Sequence, residues 1–369
     1  MKLTIDKKVF AQALAEVAPF APTKAPVQIL RNAKLTTKGK WLKIEANDAQ
    51  SSMVRYVELI ECDTDGAFLV GIAELNKFVA KTKGDTIEIT VDGNTVHLKH
   101  SKGSIEFQTE NVDEFPAFKF SQAEVVELQL PSDIFAEAIR RGRNFISDKA
   151  MLRPQMSAIY AYVKDGEFGY CATDTHKLIH GHYAAELPED LDTHWLIMPP
   201  VFTAIINACK GADIVKIQIT ETHVSYRLGG TLIQSTQAKG QYPNFKRVIP
   251  QSWSMECAVD KSELLDALGR VSMFCDGVGC TKWSISPLDM TISVDNLNDM
   301  KSSREQLGHN GCNGDITIGL SAYHSAICAG VFDNGEIVLR MSDASRPVLF
   351  GQQGIENLCC LLMPMQVNN

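Results

Sequence analysis

Apolar residues recur at helical spacing in three similar segments. "IDKKVFAQALAEV" begins at Ile5, "LPSDIFAEAIRRG" at Leu130 and "VDKSELLDALGRV" at Val259. Aligned, Phe10, Phe135 and Leu264 coincide, as do Ala13, Ala138 and Ala267, then Leu14, Ile139 and Leu268. Each block has an acid or serine near its start, which predicts an N-cap followed by an amphipathic helix. A second set follows: "VGIAELNKFVAK" from Val70, "IMPPVFTAIINA" from Ile197 and "IGLSAYHSAICA" from Ile318. Each predicts a helix ending near a glycine, at Gly84, Gly211 and Gly330. Strand-like alternation follows each glycine, and the first such stretch carries an Asp-Gly hairpin signal at Asp92 and Gly93.

Corresponding positions lie 125 and 129 residues apart in the first set, and 127 and 121 in the second. Two independent markers with nearly one period predict repetition of whole domains, not a solenoid of short units. The boundaries fall at 1–125, 126–250 and 251–369. Two short helices per repeat, separated by strand-like stretches, make an α+β plan in which each helix buries one face on antiparallel sheet.

Composition changes this picture little. Of 369 residues, 45% are hydrophobic and 22% charged, as in an ordinary globular protein. The net charge of -8 argues against a chain coated in nucleic acid, yet basic residues gather around the predicted helices. Arg140, Arg141, Arg143, Lys149 and Arg153 follow one helix against a single acid, Asp148. Lys7, Lys8 and Lys24 surround another, and Lys77, Lys81 and Lys83 a third. Such a surface can meet phosphates without reading bases, although solvated helix faces carry similar charge. Ten cysteines show no pairing rhythm and no CxxC, which suits buried thiols in a reducing cytoplasm and argues against a zinc ribbon. The N-terminus lacks the apolar stretch of a signal peptide, and no run approaches a membrane span.

Catalytic motifs are scarce. The chain has no GxxxxGK[ST], GxGxxG or HExxH, and "GLSAYH" at 319–324 only imitates GxSxG. "CATDTHKLIHGHY" at 171–183 is the remaining candidate, with Asp174, His176, His180 and His182. Preceded by a strand–turn–strand pattern, it predicts a continuing strand that sets these four side chains on one side. At strand rise, His176 and His180 would be about 13 Å apart, too far to share a metal. His180 and His182 alone could converge, and two ligands do not complete a zinc site.

These residues also carry a family resemblance. "ATDTHKL" at 172–178 resembles the ATDGHRL signature of the bacterial sliding clamp, the beta subunit of DNA polymerase III. "GQYPNFKRVIP" at 240–250, "MPM" at 363–365, "PVQIL" at 26–30 and "EFP" at 114–116 resemble further family motifs, in order and along nearly the whole chain.

The resemblance implies three clamp domains per chain and a head-to-tail homodimer closed into a ring. Helices would line its central channel, through which duplex DNA passes. It implies a processivity factor with no catalytic site, cofactor or metal, which tethers the replicative polymerase. Lys24 and Arg153 match DNA-touching positions; Arg140, Arg141 and Arg143 are added from the basic helix face. The ring joint would use Ile105 and Phe107 on one side, Met273 and Phe274 on the other. The alternation of Ile105 and Phe107 reads equally as a buried core strand. A pocket for short linear peptides of polymerase, clamp loader and repair proteins would be walled by Met156, Thr173, Thr175, His176, Lys177, Leu178, Pro243, Arg247, Val248, Tyr323, Met363, Pro364 and Met365. Methionine, leucine and proline make an adaptable apolar trough, and Lys177 and Arg247 would hold an acidic group. Three features depart from the family, one being the tail "QVNN" at 366–369, which runs past the family's usual end with glutamine for arginine. Thr175 replaces its usual glycine and suits strand geometry rather than positive φ. Lys177 replaces an arginine and lacks its planar bidentate contact.

Overall fold

The computed structural model describes residues 1–24, 27–118, 125–147, 153–296 and 300–367. One order of elements recurs three times along the chain. The first round runs β1 (Lys2–Asp6), α1 (Lys7–Val17), β2 (Asn32–Lys38), β3 (Trp41–Asn47), β4 (Ser51–Glu58), an extra β5 (Glu61–Thr64), β6 (Ala67–Gly71), α2 (Ile72–Lys81), β7 (Thr86–Asp92), β8 (Thr95–His100) and β9 (Gly103–Gln108). The second runs β10 (Val126–Pro131), α3 (Ser132–Gly142), β11 (Ile159–Lys164), β12 (Glu167–Thr173), β13 (Lys177–Ala184), β14 (Thr193–Ile197), α4 (Phe202–Cys209), β15 (Ile214–Ile219), β16 (His223–Leu228) and β17 (Thr231–Thr236). The third runs β18 (Met255–Asp260), α5 (Lys261–Ser272), β19 (Cys280–Ile285), β20 (Met290–Asn296), β21 (Lys301–Leu307), β22 (Ile316–Ser321), α6 (Ala322–Gly330), β23 (Glu336–Met341), β24 (Val348–Gln352) and β25 (Ile355–Leu362). None of the described helices is long and apolar enough to cross a membrane.

The helices arise where the apolar period predicts. α1 buries Phe10, Ala13, Leu14 and Val17, and α5 buries the matching Leu264, Ala267, Leu268 and Val271. Asp6 caps α1 by accepting from the amides of Lys8 and Val9 at 2.8 and 2.9 Å. Asp260 caps α5 in the same way, from Ser262 and Glu263 at 2.8 and 3.0 Å. These side chains satisfy two of the free N–H groups at each helix start. The middle round differs from expectation. Ser132 is not a cap: it is the first residue of α3, and its hydroxyl donates to the Ala212 carbonyl.

Two compact units divide the chain, residues 1–136 with 198–237 and residues 137–197 with 238–369. The first unit holds a five-stranded sheet, β5-β1-β7-β8-β9, and an eight-stranded one, β10-β15-β16-β17-β4-β3-β2-β6. The second holds β14-β11-β12-β13-β25-β24-β23-β18 and a four-stranded sheet, β21-β20-β19-β22. Each eight-stranded sheet therefore joins two rounds: β17 pairs antiparallel with β4, and β13 with β25. Helices α1 and α2 pack together in the first unit, and α5 and α6 in the second.

The stretch 171–183 is not one strand. β12 ends at Thr173, β13 starts at Lys177, and Thr173 lies opposite Leu178 across the ladder. Asp174 makes the turn. Its Oδ1 accepts from the amides of His176 and Lys177, both at 2.9 Å, and Thr173 Oγ1 accepts from the Thr175 amide at 3.1 Å. The Lys177 ammonium donates to Asp174 Oδ2 and sits 6.0 Å from the Phe145 ring. Burial pushes the Asp174 carboxyl up, but the Lys177 and His176 hydrogen bonds outweigh it and hold the group below its ordinary value. Thr175 has φ of 81°, the left-handed region that the sequence reading judged unsuited to threonine. The bonds from Thr173 and Asp174 hold it there.

Left-handed φ costs a residue with a Cβ roughly 1–2 kcal/mol, and glycine avoids this at some entropic cost of its own. Thr175→Gly should therefore raise unfolding free energy by about 1 kcal/mol, read from urea denaturation. An unchanged or lower midpoint would show that the turn holds threonine without strain.

Candidate functional site

Four chain segments of the second unit meet around this turn. The first is the turn itself, with Thr175 and His176 exposed. The second is the C-terminal segment after β25. The Met363 amide donates to the His176 carbonyl at 2.8 Å, and the Met365 amide to the Gly319 carbonyl at 2.8 Å. Met365 and Gly319 form an antiparallel bridge, so the tail lies along the free edge of β22. The third is the start of α6. Tyr323 is 43% exposed, and its hydroxyl donates to the Ser272 carbonyl at 3.4 Å. His324 lies over His176 with ring centroids 6.1 Å apart. Burial, then the nearby Lys177 charge, lower the His324 pKa, and Asp174 opposes them in part.

The fourth segment is 240–250. A single helical turn, Phe245–Arg247, turns Phe245 inward onto Cys171, Leu178, Leu349 and Leu361. The Tyr242 hydroxyl donates to the Cys171 carbonyl at 3.4 Å. This leaves Pro243, Arg247 and Val248 exposed, and Arg247 makes no ion pair among the described residues. Val248, Tyr323 and Met363 are thus exposed and Pro364 and Met365 half-buried, on three of the segments that follow or flank the turn, and Arg247 is exposed next to Val248 in the chain. Apolar side chains and a guanidinium of this kind suit an apolar ligand that carries an anionic group.

Several expected wall residues stand behind this surface. Met156, Thr173 and Leu178 are buried, and so is Lys177, 6% exposed. Lys177 is thus corrected as a holder of an acidic ligand: its ammonium faces Asp174 and supports the turn from within. Arg247 is exposed, with no ion pair among the described residues. His180 and His182 lie side by side on β13, as expected, with ring centroids 5.8 Å apart. His180 bonds to the Tyr162 hydroxyl at 2.9 Å and packs on Phe245, while His182 lies 3.2 Å from Glu167. Burial, with His182 and Lys246 nearby, lowers the His180 pKa to about 4, so it is neutral at physiological pH. Among the described residues no three such side chains could share a metal ion.

The other expected sites are more dispersed. Lys24, Arg143 and Arg153 are exposed. Arg140 is exposed but bonds to Glu137 at 2.6 Å. Arg141 is drawn inward, 2.8 Å from Glu137 and 3.4 Å from the Tyr183 hydroxyl, so it does not stand free. Ile105 and Phe107 lie on β9, at the end of its sheet, partly exposed rather than in a core. Met273, just past α5, is 72% exposed, and Phe274 is half-buried. All ten cysteines are free thiols; five are buried and five half-buried, so burial was expected too generally.

The sequence reading missed Gly319 and His324, which lie in the false GxSxG and a helix start. It also missed that the turn recurs. Asp48 accepts from the amides of Gln50 and Ser51 at 2.9 and 2.6 Å, and Ala49 has φ of 72°. The Thr236 amide donates to Gln50 at 2.8 Å, as Met363 does to His176. "ANDAQSS" against "ATDTHKL" was the available signal. There the equivalent side chains, Asn47, Gln50, Ser52 and Thr236, are polar, so the same backbone makes no apolar surface.

Comparison with known proteins agrees with this fold. Residues 1–119 match the family model described as DNA polymerase III beta subunit, N-terminal domain. The beta sliding clamp of Bacillus subtilis (strain 168) is 23% identical, covering 99% of this chain and 100% of that protein. That of Synechococcus elongatus is 22% identical, covering 100% of both. Among solved structures, the Bacillus subtilis clamp superposes with a TM-score of 0.92 at 22% identity, over 100% of both chains. A Pseudomonas aeruginosa clamp bound to griselimycin gives 0.95 at 18%, also over 100% of both. Residues 1–119 thus match the N-terminal domain of the DNA polymerase III beta subunit, and the whole chain shares the fold of the solved bacterial sliding clamps.

Proposed function

We propose that this chain is a DNA sliding clamp, a non-enzymatic processivity factor that encircles duplex DNA and tethers the replicative polymerase. Its three domains are 1–125, 126–250 and 251–369. The observation that carries the reading is the pairing of strand edges. β17 pairs with β4 and β13 with β25, each joining one round to the next. In the same positions, β9 and β21 end their sheets without such a neighbour among the described residues. Unpaired edges of this kind invite another strand. β9 of one copy against β21 of a second supplies both, and repeating the contact once closes a head-to-tail dimer without a growing filament. Ile105, Phe107, Met273 and Phe274 belong to that joint. Lys301 and Arg304 on β21 complement Glu106 on β9.

Lys24, Arg140, Arg143 and Arg153 meet DNA phosphates, with Arg141 holding the helix end through Glu137. Contacts of this kind are independent of sequence and weakened by salt, which suits a sliding ring. Closure, not affinity, retains the DNA, so a net charge of -8 is tolerable. The surface around Val248, Tyr323, Met363, Pro364 and Met365 receives short peptides of polymerase, clamp loader and repair proteins. Arg247 meets their acidic group.

Two outcomes are expected. Loaded by its clamp loader and ATP, the chain should stay on nicked circular DNA through gel filtration and leave when the circle is cut. Equal retention on linear DNA would contradict encirclement. A fluorescein-labelled peptide with adjacent leucine and phenylalanine and a free terminal carboxylate should bind the intact chain. Deleting residues 363–369 should abolish that binding, and unchanged fluorescence anisotropy titrations would reject the groove.

A further inference from the structure

Gly319 occupies a place where strands rarely carry glycine. It lies inside β22, paired with Lys282 of β19 on one side and bridged to Met365 on the other. Its φ is not in the left-handed range, so backbone freedom is not what requires glycine. Space is. A Cβ here would lie inside van der Waals contact of the Met365 carbonyl oxygen and 2.5 Å from Val367 Cγ2. Glycine within a strand marks such close approach of another backbone.

The tail it admits is held at three points. The Met363 amide donates to His176, the Met365 amide to Gly319, and the Cys280 thiol to the Gln366 carbonyl at 3.8 Å. Between the first two lies Pro364, which has no N–H to contribute. The segment is thus a one-residue-bridged added strand, and its register fixes which side chains reach the exposed surface. Met363 is 38% exposed, while Pro364 and Met365 are half-buried.

We propose that Gly319 is a positioning residue of the peptide groove. Lacking a side chain, it lets Met363–Val367 lie flat on β22 and so sets the methionine wall that a partner peptide meets. The proposal rests on the groove reading above and deepens it. A side chain at 319 cannot be accommodated by rotamer change alone, because one of the atoms it meets is backbone. The tail must lift, and an ordered wall becomes one that has to be ordered again on binding.

Gly319→Ala in the full-length chain tests this. The same labelled peptide should bind roughly tenfold more weakly, the scale of an ordering cost returned to the bound state. Hydrogen exchange of the Met363 and Met365 amides should quicken, while amides of β19 and β20 stay protected. Peptide affinity within about twofold of wild type, with unchanged exchange, would overturn the proposal. Met365→Pro removes the donor to the Gly319 carbonyl without altering β22, and guards against a misfolded first variant; full peptide affinity in it would overturn the proposal equally. A wild-type chain that binds no peptide yet shows both amides protected, and exposed by Gly319→Ala, would reject the groove reading and leave the tail's dependence on Gly319 standing. Unprotected Met363 and Met365 amides in the wild-type chain would reject the proposal alone.

Discussion

Antiparallel pairing between the last strand of one round and the third sheet strand of a neighbouring round governs this structure. A strand at the end of a sheet presents unpaired N–H and C=O groups, and these demand a partner. β17 meets that demand with β4, and β25 with β13. The pairs α1–α2 and α5–α6 are local to their rounds, but these junctions are not: the backbone of β4 is completed by a strand from the next round. The same constraint leaves β9 and β21 as sheet ends, open to a strand of a second chain.

The junction of β13 with β25 also builds the candidate site. It brings the residues after β25 beside the turn before β13, where the Met363 amide finds the His176 carbonyl. The junction of β17 with β4 does the same for Thr236 and Gln50. Backbone geometry is thus shared, and side-chain chemistry separates the two places. Leucine and methionine at 178 and 363 stand where serine and threonine stand at 52 and 236. The proposed groove therefore rests on which repeat carries apolar residues, not on a special fold at one position.

Much of the fold was legible in the sequence. Apolar residues at 10, 13 and 14 recur at 135, 138 and 139 and at 264, 267 and 268, because each helix must bury the same face. The turn at Asp174 was not legible as a turn. Alternation of side chains continues across it, and its one unusual backbone angle falls on a threonine, where neither glycine nor asparagine announces it. Lys177 was misread because sequence shows a charge but not its direction; only the burial of its ammonium beside Asp174 does. The proposed groove residues rest on family resemblance, not on periodicity or spacing. Gly319 was invisible to periodicity, since its importance lies in an atom it lacks.

The account depends on edge pairing being completed by a second copy of the chain. Light scattering coupled to size-exclusion chromatography measures this directly. At micromolar concentration the mass should be twice the 40.7 kDa of one chain. A single-chain mass under those conditions would leave β9 and β21 unpaired in solution and contradict the closed ring.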